Sequence, residues 1–317
     1  MSGSITIRVP ATTSNLGGGF DCIGVAIDRW LSLEASLGVA PEPPTIERLG
    51  YLDRLGIGLS EDRLILGFNG AAAAVGLAHP PTVHLRADSE IPVGRGLGSS
   101  AAATVAGALA ANQLLGLGLA EMRLIEICAE IEGHPDNVAP ALLGGGTLVV
   151  GRRGTRVAGP TTRPADDGYL VREIDLHPGI ALVIVVPDFA IETRRARAVL
   201  PEFVPHRVSA GAAARAAALV QGLASADAGL LAAGLDDLLH VPFRRRLVRG
   251  YSAVTAAAIQ AGAIGATLSG SGSSIVAVAL DPSTAAAAGE AMRLAWAGCG
   301  VTAIAIQPSI VREFACP

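Results

Sequence analysis

The chain has 317 residues and half of them are hydrophobic, so it can bury a sizeable core and is long enough for two domains. Its formal net charge of −4 argues against a nucleic-acid or a membrane-surface partner. No apolar run approaches the ~18 residues that cross a membrane, and the N-terminus lacks the charged and apolar regions of a signal peptide.

Hydrophobic periodicity divides the first half of the chain into strands and helices. The pattern predicts strands at 5–9, 83–86 and 147–150 and helices at 62–78, 99–115 and 120–132. Residues 23–27 and 30–37 are compatible with either a helix or a strand. Gly116 and Gly133 follow two of the predicted helices, where glycine commonly ends a helix.

The loop before the helix at 99–115 is rich in glycine. Its sequence is Pro92-Val-Gly-Arg-Gly-Leu-Gly-Ser-Ser-Ala-Ala102. Glycines let a backbone approach a ligand closely, the serines can cap the helix, and the helix N-terminus favours a phosphate group. A tight surface turn would also explain the glycines. The loop is not a P-loop, because the sequence has no lysine, nor a dinucleotide fingerprint, because its spacing is G-x-G-x-G.

The helix predicted at 120–132 carries an acidic residue on its apolar face. At 100° per residue, Glu132 lies beside Ile125 and Cys128, whereas Glu130 lies on the opposite, polar face. A carboxylate on a core-facing stripe is costly unless it is paired or bound to a metal. The pattern therefore indicates that Glu132, and not Glu130, needs a partner, which could be an opposite charge or a metal. A frayed last turn that lets Glu132 reach water is the alternative.

A polar stretch rich in arginine and glycine, 151–168, separates the two halves, and we expect one domain at 1–160 and another at 161–317. In the second half the pattern predicts strands at 180–186, 275–280 and 301–306, helices at 193–200 and 283–297, and two or three further helices in 206–262. This order indicates an antiparallel sheet with helices on one face, as in ferredoxin-like folds.

Three segments of the chain resemble the motifs of the GHMP kinases, a family of small-molecule kinases. They are Pro10 to Asp21, the loop from Pro92 to Ala102, which meets every fixed position of the family's ATP-binding pattern, and Gly265 to Ser274. The resemblance implies an α+β, two-domain fold with an N-terminal ribosomal-protein-S5-like domain that binds ATP and a C-terminal ferredoxin-like domain. It also implies ATP and Mg²⁺ as cofactors.

Within the family, two segments resemble the members that phosphorylate the side-chain hydroxyl of L-homoserine to O-phospho-L-homoserine in threonine biosynthesis. They are Ser14-Asn-Leu-Gly-x-Gly-Phe-Asp21 and Glu132-Gly-His-Pro-Asp-Asn-Val-Ala-Pro140. The sequence departs from the family at three positions. Gly18 and Ser273 stand where proline is usual, and Val241 stands where a polar or acidic residue is commoner.

The resemblance also assigns roles to individual residues. The whole loop, Pro92, Val93, Gly94, Arg95, Gly96, Leu97, Gly98, Ser99, Ser100, Ala101 and Ala102, would bind ATP, and Ser99 and Glu132 would ligate Mg²⁺. The substrate site would consist of Asn15, Asp21, His134, Asn137, Arg197 and Arg244, with Asp21 at the ammonium and the arginines at the carboxylate. The catalytic set would be Asn15, Asp136, Thr193 and Arg197. Taken singly, each could instead be a turn residue, a satisfied loop residue or a solvated surface charge.

The implied phosphoryl transfer requires mainly alignment and charge neutralisation. We favour proton transfer from the substrate hydroxyl without a dedicated base, with Asp136 as general base the alternative. Two other functions compete: a GHMP kinase for mevalonate, shikimate or a sugar, and a GHMP-fold binding protein that has lost catalysis. The loop spacing disfavours a nicotinamide oxidoreductase.

The implied partner is a small molecule, with no nucleic acid and no membrane. The four cysteines, Cys22, Cys128, Cys299 and Cys316, are scattered without C-x-x-C spacing. This distribution favours free thiols and a cytoplasmic protein. The sequence leaves the assembly state open, with a homodimer among the options.

Overall fold

The structure is a computed structural model that describes residues 3–38, 43–151 and 168–312. The strands are β1 Ile5–Asn15, β2 Gly19–Leu37, β3 Thr45–Gly50, β4 Val83–Ser89, β5 Gly146–Gly151, β6 Tyr169–Ile174, β7 Ala181–Pro187, β8 Gly265–Leu268, β9 Ile275–Ala279 and β10 Ala303–Ile306. The helices are α1 Arg63–Ala74, α2 Ser99–Leu114, α3 Glu121–Glu132, α4 Val138–Leu143, α5 Thr193–Ala198, α6 His206–Ser225, α7 Ala228–Leu235, α8 Val241–Arg244, α9 Tyr251–Gln260 and α10 Pro282–Gly298. No helix within these ranges is long and apolar enough to span a membrane.

The first sheet is built on the hairpin of β1 and β2. Its order is β3-β4-β2-β5-β6, with β1 paired to β2 and with β3 and β4 parallel. The two segments that the sequence left undecided, 23–27 and 30–37, belong to the one long strand β2. The strand predicted at 5–9 continues to Asn15, so the polar residues of the first motif lie on a buried strand rather than in a loop. Neither β3 nor its parallel pairing was predicted, since β3 is half exposed and lacks an apolar alternation.

Helices α1, α2 and α3 pack together against this sheet. Helix α2 is buried along most of its length, which its run of alanines permits. It meets α1 at two glycines: a Cβ on Gly67 would lie 2.0 Å from the Thr104 carbonyl oxygen, and a Cβ on Gly107 would lie 2.0 Å from the Leu64 carbonyl oxygen. The small residues therefore set the close approach of α1 to α2. The start of α1 also meets the end of α3, where Arg63 Nη1 donates to the Ile131 carbonyl.

The second sheet has the antiparallel order β10-β7-β9-β8, which confirms the ferredoxin-like arrangement. Alternate residues of β7 enter different cores. Val183 and Val185 pack in a cluster with Met292 and Trp296, whereas Ile184 joins the main core of the molecule. Both faces of the strand are thus buried, which explains its continuous apolar sequence.

The change from one sheet to the other lies later than the predicted domain boundary. Strand β6 pairs with β5, so the first sheet continues to Ile174. The boundary at 160/161, like most of the predicted connection at 151–168, falls outside the described residues. The chain also returns to the first sheet near its end, where the amide of Val311 donates to the Ala26 carbonyl at 3.1 Å.

Candidate active site

A cleft of about 270 Å³ lies where the glycine-rich loop, the first motif and helix α5 meet. Its lining includes these sequence-predicted residues: Asn15, Asp21, Val93, Gly94, Gly96, Leu97, Gly98, Ser99, Ser100, His134, Asp136, Asn137, Thr193, Arg197 and Arg244. All of the predicted substrate residues and most of the predicted nucleotide residues therefore share one cavity. Much of its remaining wall comes from residues between 48 and 64, which the sequence did not single out.

The glycine spacing of the loop follows from its backbone. Gly94, Gly96 and Gly98 have φ angles of 68°, 75° and 69°, in the left-handed region that favours glycine. The space around Gly96 and Gly98 is also too small for a side chain. A Cβ on Gly96 would lie 2.1 Å from the Ser269 carbonyl oxygen, and one on Gly98 would lie 2.0 Å from Thr12 Oγ1. Substitution at either position would push the loop away from β1 and from the turn after β8.

The N-terminus of α2 opens on the cleft without a side-chain cap. Gly98 is the N-cap residue, and it has no side chain that could accept from the first-turn amides. The expectation that the serines cap this helix was wrong, because they lie inside the helix rather than before it. Ser99 and Ser100 instead line the cleft. The first-turn N–H groups and the positive end of the helix dipole suit a phosphate.

Four positions of the predicted ATP-binding run lie away from the cleft. Pro92 and Arg95 line neighbouring grooves, and Ala101 and Ala102 are buried in the core. The Arg95 side chain donates to the carbonyls of Pro187 and Asp188, each at 2.9 Å. Arg95 therefore ties the loop to the second sheet, and its part in ATP binding stays a prediction.

Glu132 points inward at the C-terminal end of α3, as predicted, and Glu130 is exposed. The Glu132 side chain is only 2% exposed. It accepts hydrogen bonds from Ser100 Oγ and Thr104 Oγ1, each at 2.6 Å. The sequence assigned Ser99 as the second metal ligand, which stays a prediction. In the structure it is Ser100, the next residue on α2, whose hydroxyl contacts the Glu132 carboxylate.

The segment after α3 is held by a network of buried polar groups. Asp136 Oδ1 lies 2.5 Å from His134 Nδ1. Asn137 Nδ2 donates to Ser14 Oγ at 2.9 Å, and Asn137 Oδ1 accepts from Thr12 Oγ1 at 2.7 Å. These bonds fix the segment against β1, so each predicted residue here has a defined orientation at the cleft.

His134 and Asp136 shift each other's protonation. Burial alone would raise the pKa of Asp136, but the charge of His134 and its hydrogen bond outweigh burial and hold this pKa below its usual range. Burial alone would lower the pKa of His134, but the Asp136 carboxylate outweighs it and holds this pKa above its ordinary value. The pair therefore favours an ionised, weakly basic Asp136.

Asn15 connects the first and third motifs. Its Nδ2 donates to the Gly270 carbonyl at 2.9 Å, and its Oδ1 accepts from the Asp21 amide at 2.8 Å. Asn15 and Asp21 have positive φ angles of 69° and 56°, a region that Asn and Asp adopt more readily than most residues. The turn that carries Asp21 into the cleft therefore depends on Asn15.

Asp21 and Arg197 bind each other across the cleft. Arg197 Nη1 and Nη2 donate to the two carboxylate oxygens of Asp21, each at 2.9 Å. Burial alone would lower the pKa of Arg197, but the hydrogen bonds to Asp21 raise it. The sequence assigned these residues to opposite charges of a substrate. The structure brings both to the cleft and pairs them with each other.

Arg244 is deeply buried, and a histidine that the sequence did not single out holds it. Its Nε donates to the Ala196 carbonyl at 3.0 Å, and its Nη1 lies 3.2 Å from His240 Nδ1. Burial lowers the pKa of Arg244 to about 10 and that of His240 to about 4. At neutral pH Arg244 is therefore charged and His240 neutral, with Nδ1 accepting from Arg244 and Nε2 donating to the Gly17 carbonyl.

The aromatic ring of Phe20 completes this support. It stacks on the His240 ring at 4.8 Å between centroids, and the Arg244 guanidinium carbon lies 5.0 Å from its centroid.

Thr193 lies at the start of α5, with its hydroxyl 3.5 Å from Ser271 Oγ. Both predicted arginines and Thr193 thus reach the cleft from the second half of the chain.

The three departures from the family pattern are accommodated locally. The Gly18 amide donates to the Gly234 carbonyl at 2.8 Å, a bond that proline could not form. Ser273 Oγ donates to the Phe189 carbonyl at 2.5 Å. Val241 is buried in the second core, and its amide donates to Asp237 Oδ2 at 2.7 Å. None of these residues lines the cleft.

The wall from 48 to 64 contributes apolar side chains and three charged ones, Arg48, Asp62 and Arg63. Leu52, Leu55 and Ile57 line the cleft, as does Arg63, the first residue of α1. Arg63 Nη1 lies 3.4 Å from Glu132 Oε1. Nothing in the sequence pattern marks these residues, because they lie before and at the start of a helix in a stretch without a motif.

A glycine-rich loop at a helix N-terminus, set between a β-hairpin sheet and a ferredoxin-like sheet, defines a GHMP-type fold. The family model of the GHMP kinases N terminal domain matches residues 65–145, and that of the GHMP kinases C terminal domain matches residues 219–298. The chain belongs to the GHMP kinase family.

Within this family the similarity is to proteins named homoserine kinase. The chain is 41% identical over 292 residues to one from Gloeobacter violaceus, covering 92% of each chain. It is 38% identical over 305 residues to one from Picosynechococcus sp., covering 95% of each. The crystal structure of homoserine kinase from Cytophaga hutchinsonii superposes with a TM-score of 0.83 at 28% identity, covering 98% of this chain and 96% of that one.

Proposed function

We propose that the protein transfers the γ-phosphoryl group of ATP to the side-chain hydroxyl of L-homoserine. The observation that carries this proposal is the composition of the cleft, where Asp21, Arg197 and Arg244 lie in one cavity with an uncapped helix N-terminus. A carboxylate suits an ammonium group, and guanidinium groups suit a carboxylate. A small α-amino acid with a hydroxyl group fits this combination, and relatives of the chain are named for that substrate.

The loop amides and the apolar wall would bind different parts of the nucleotide. First-turn N–H groups of α2 would receive the phosphates, and Leu52, Leu55 and Ile57 would pack against the base. Because phosphoryl transfer needs alignment and neutralisation of charge, a rigid loop contributes directly to catalysis. The tight packing of Gly96 and Gly98 against their neighbours supplies that rigidity.

The residues at Glu132 fit a magnesium ion. Glu132 and Ser100 offer oxygen ligands, which Mg²⁺ prefers, and Mg²⁺ usually takes only one or two carboxylates besides phosphate oxygens and water. When bound, the ion would neutralise charge on the transferring phosphoryl group. Ser99 remains at the phosphate loop.

The remaining polar residues would orient the substrate. Asn15, His134 and Asn137 are fixed by hydrogen bonds at the cleft, and Thr193 lies on its other side. We assign Asp136 to positioning of His134, because its lowered pKa makes it a weak base. The substrate proton would then leave without a dedicated side-chain base. A cytoplasmic location remains a prediction.

A substrate panel tests the function. Purified protein with ATP and Mg²⁺ should release ADP with L-homoserine, and the product should have the mass of O-phosphohomoserine. Mevalonate, shikimate, galactose and L-serine should give little turnover. Comparable turnover of mevalonate or a sugar would identify another kinase of the family. Nucleotide binding without turnover of any substrate would identify a non-catalytic binding protein.

A further inference from the structure

Arg63 occupies a place at the cleft that no motif assigns. It is the first residue of α1, and its side chain is 37% exposed. Its Nη1 donates to the carbonyl of Ile131, in the last turn of α3, at 2.9 Å. The same nitrogen lies 3.4 Å from Glu132 Oε1. A cation is thus held at the negative end of α3, beside the proposed metal ligand.

The charges at this point balance before any ligand binds. The Glu132 carboxylate is almost fully buried and receives two hydroxyl groups, which do not neutralise its charge. A buried carboxylate is stable when an opposite charge accompanies it. Arg63 supplies that charge from the side of the cleft. Glu132 can therefore keep its orientation between catalytic cycles.

This balance has opposite consequences for two ligands. A free divalent cation meets a neutral pair of side chains, and the guanidinium repels it at short range. A complex of the metal with a nucleoside triphosphate carries net negative charge, so the same guanidinium attracts it. Arg63 lines the cleft together with Ser99 and Ser100, where the phosphates would lie.

We propose that Arg63 is a positioning residue that selects the metal–nucleotide complex over the free metal at Glu132. The inference rests on the proposed function only in taking Glu132 as the metal ligand. Arg63 would hold Glu132 in the absence of metal and would interact with the phosphates when the nucleotide brings the metal in. The alternative is that Arg63 has only a structural role as a tether that links α1 to α3.

The test compares two affinities in the full-length protein. Binding of Mn²⁺ alone is followed by electron paramagnetic resonance, and binding of a non-hydrolysable ATP analogue with Mg²⁺ is followed by calorimetry. Arg63→Met keeps the apolar stem and removes the charge. We expect it to bind Mn²⁺ alone roughly fivefold more tightly and the nucleotide complex roughly tenfold more weakly. Arg63→Lys, which keeps the charge, should restore much of both values.

Two controls fix the interpretation. Arg123→Met removes an exposed arginine of α3 that pairs with Glu126, and both affinities should equal those of the wild type. Glu132→Gln should abolish Mn²⁺ binding. If Arg63→Met leaves Mn²⁺ binding unchanged or weakens it, Arg63 is only a tether and the inference is wrong. If Glu132→Gln changes neither affinity, the metal assignment under the proposed function fails as well.

Discussion

Arg197 binds Asp21 through two parallel hydrogen bonds of 2.9 Å, and the pair joins strand β2 of the first sheet to helix α5 of the second half. Their side chains are 18% and 15% exposed. Opening the pair would leave two partly buried charges in need of partners. An α-amino acid can provide partners for both side chains, its ammonium group for Asp21 and its carboxylate for Arg197. A ligand with a single charge provides a partner for only one of them.

The first prediction concerns the replacement of the Asp21–Arg197 ion pair by contacts to the substrate. Compared with L-homoserine, 4-hydroxybutyrate lacks the amino group and 3-aminopropan-1-ol lacks the carboxylate. We expect kcat/KM for each to be lower by about 10³-fold or more, because each loses an ionic contact and leaves a charge unpaired. Steady-state kinetics at saturating ATP measures this. Turnover of either analogue within tenfold of L-homoserine would show that the pair does not open to the substrate.

The second prediction uses a variant of the same pair. Arg197→Ala should raise KM for L-homoserine at least 30-fold, on the order of 2 kcal/mol, and leave KM for ATP nearly unchanged. Arg194→Ala is the matched control, since Arg194 lies on the same helix and is exposed. Equal changes in both KM values would mean that Arg197 supports the whole cleft rather than the amino acid.

The third prediction distinguishes the proposed metal ligands Glu132 and Ser100 from their neighbours Glu130 and Ser99. Glu132→Ala and Ser100→Ala should each reduce kcat strongly, Glu132→Ala by several kcal/mol in transition-state stabilisation. Glu130→Ala should remain active because Glu130 is exposed. Ser99→Ala should lose less than Ser100→Ala, since Ser100 contacts the Glu132 carboxylate. A larger loss in Ser99→Ala would restore the assignment made from the sequence.

The sequence predicted the ferredoxin-like second sheet and the inward face of Glu132 because both follow from short-range periodicity. It could not decide the conformation of 23–37, because β2 is a long strand that exchanges partners between β1, β4 and β5. That choice depends on residues far away in the chain. The same holds for the strand β3, whose pairing with β4 is parallel and nonlocal.

The candidate site shows a similar division. Motifs identified the loop and Asp21, since their spacing is local, and the family resemblance assigned Arg197. The support of Arg244 by His240 and Phe20, and the contact of Arg63 with Glu132, join residues that no local spacing relates. Burial decides these contacts, and a single sequence does not reveal which polar residues are buried together.

The fourth prediction concerns pH and His240. Burial lowers the pKa of His240 to about 4, against about 6.5 in an unfolded chain. Between these values the unfolded chain binds a proton that the folded protein does not. The free energy of unfolding should therefore fall as pH decreases from 6.5 toward 4, by up to roughly 3 kcal/mol from this group.

Urea denaturation of the wild type and of His240→Gln at pH 5 and pH 7 measures this effect. Glutamine can still donate to the Gly17 carbonyl and accept from Arg244, but it does not titrate. The difference in stability between pH 7 and pH 5 should thus be smaller in the variant. His134 remains in both proteins, so its opposite contribution cancels. Equal pH dependence in the two proteins would contradict the neutral state of His240.

The fifth prediction concerns Asp136. In the structure its Oδ1 accepts from His134 Nδ1, and its lowered pKa makes it a poor acceptor of the substrate proton. Asparagine keeps an oxygen in the same place and removes only the charge. A true general base would cost about 10²–10⁴ in kcat when replaced in this way, and the loss would shrink at high pH.

We therefore expect Asp136→Asn to retain kcat within about tenfold of the wild type, below the usual cost of a lost base. The loss should not recover between pH 7 and pH 9. Asp136→Ala should lose more, because His134 then has no acceptor and the segment that carries Asn137 loosens against β1. Because the Asp136 carboxylate raises the pKa of His134, the asparagine variant should also titrate His134 at a lower pH in NMR. A large drop in kcat for Asp136→Asn that recovers as pH rises would instead establish Asp136 as the base.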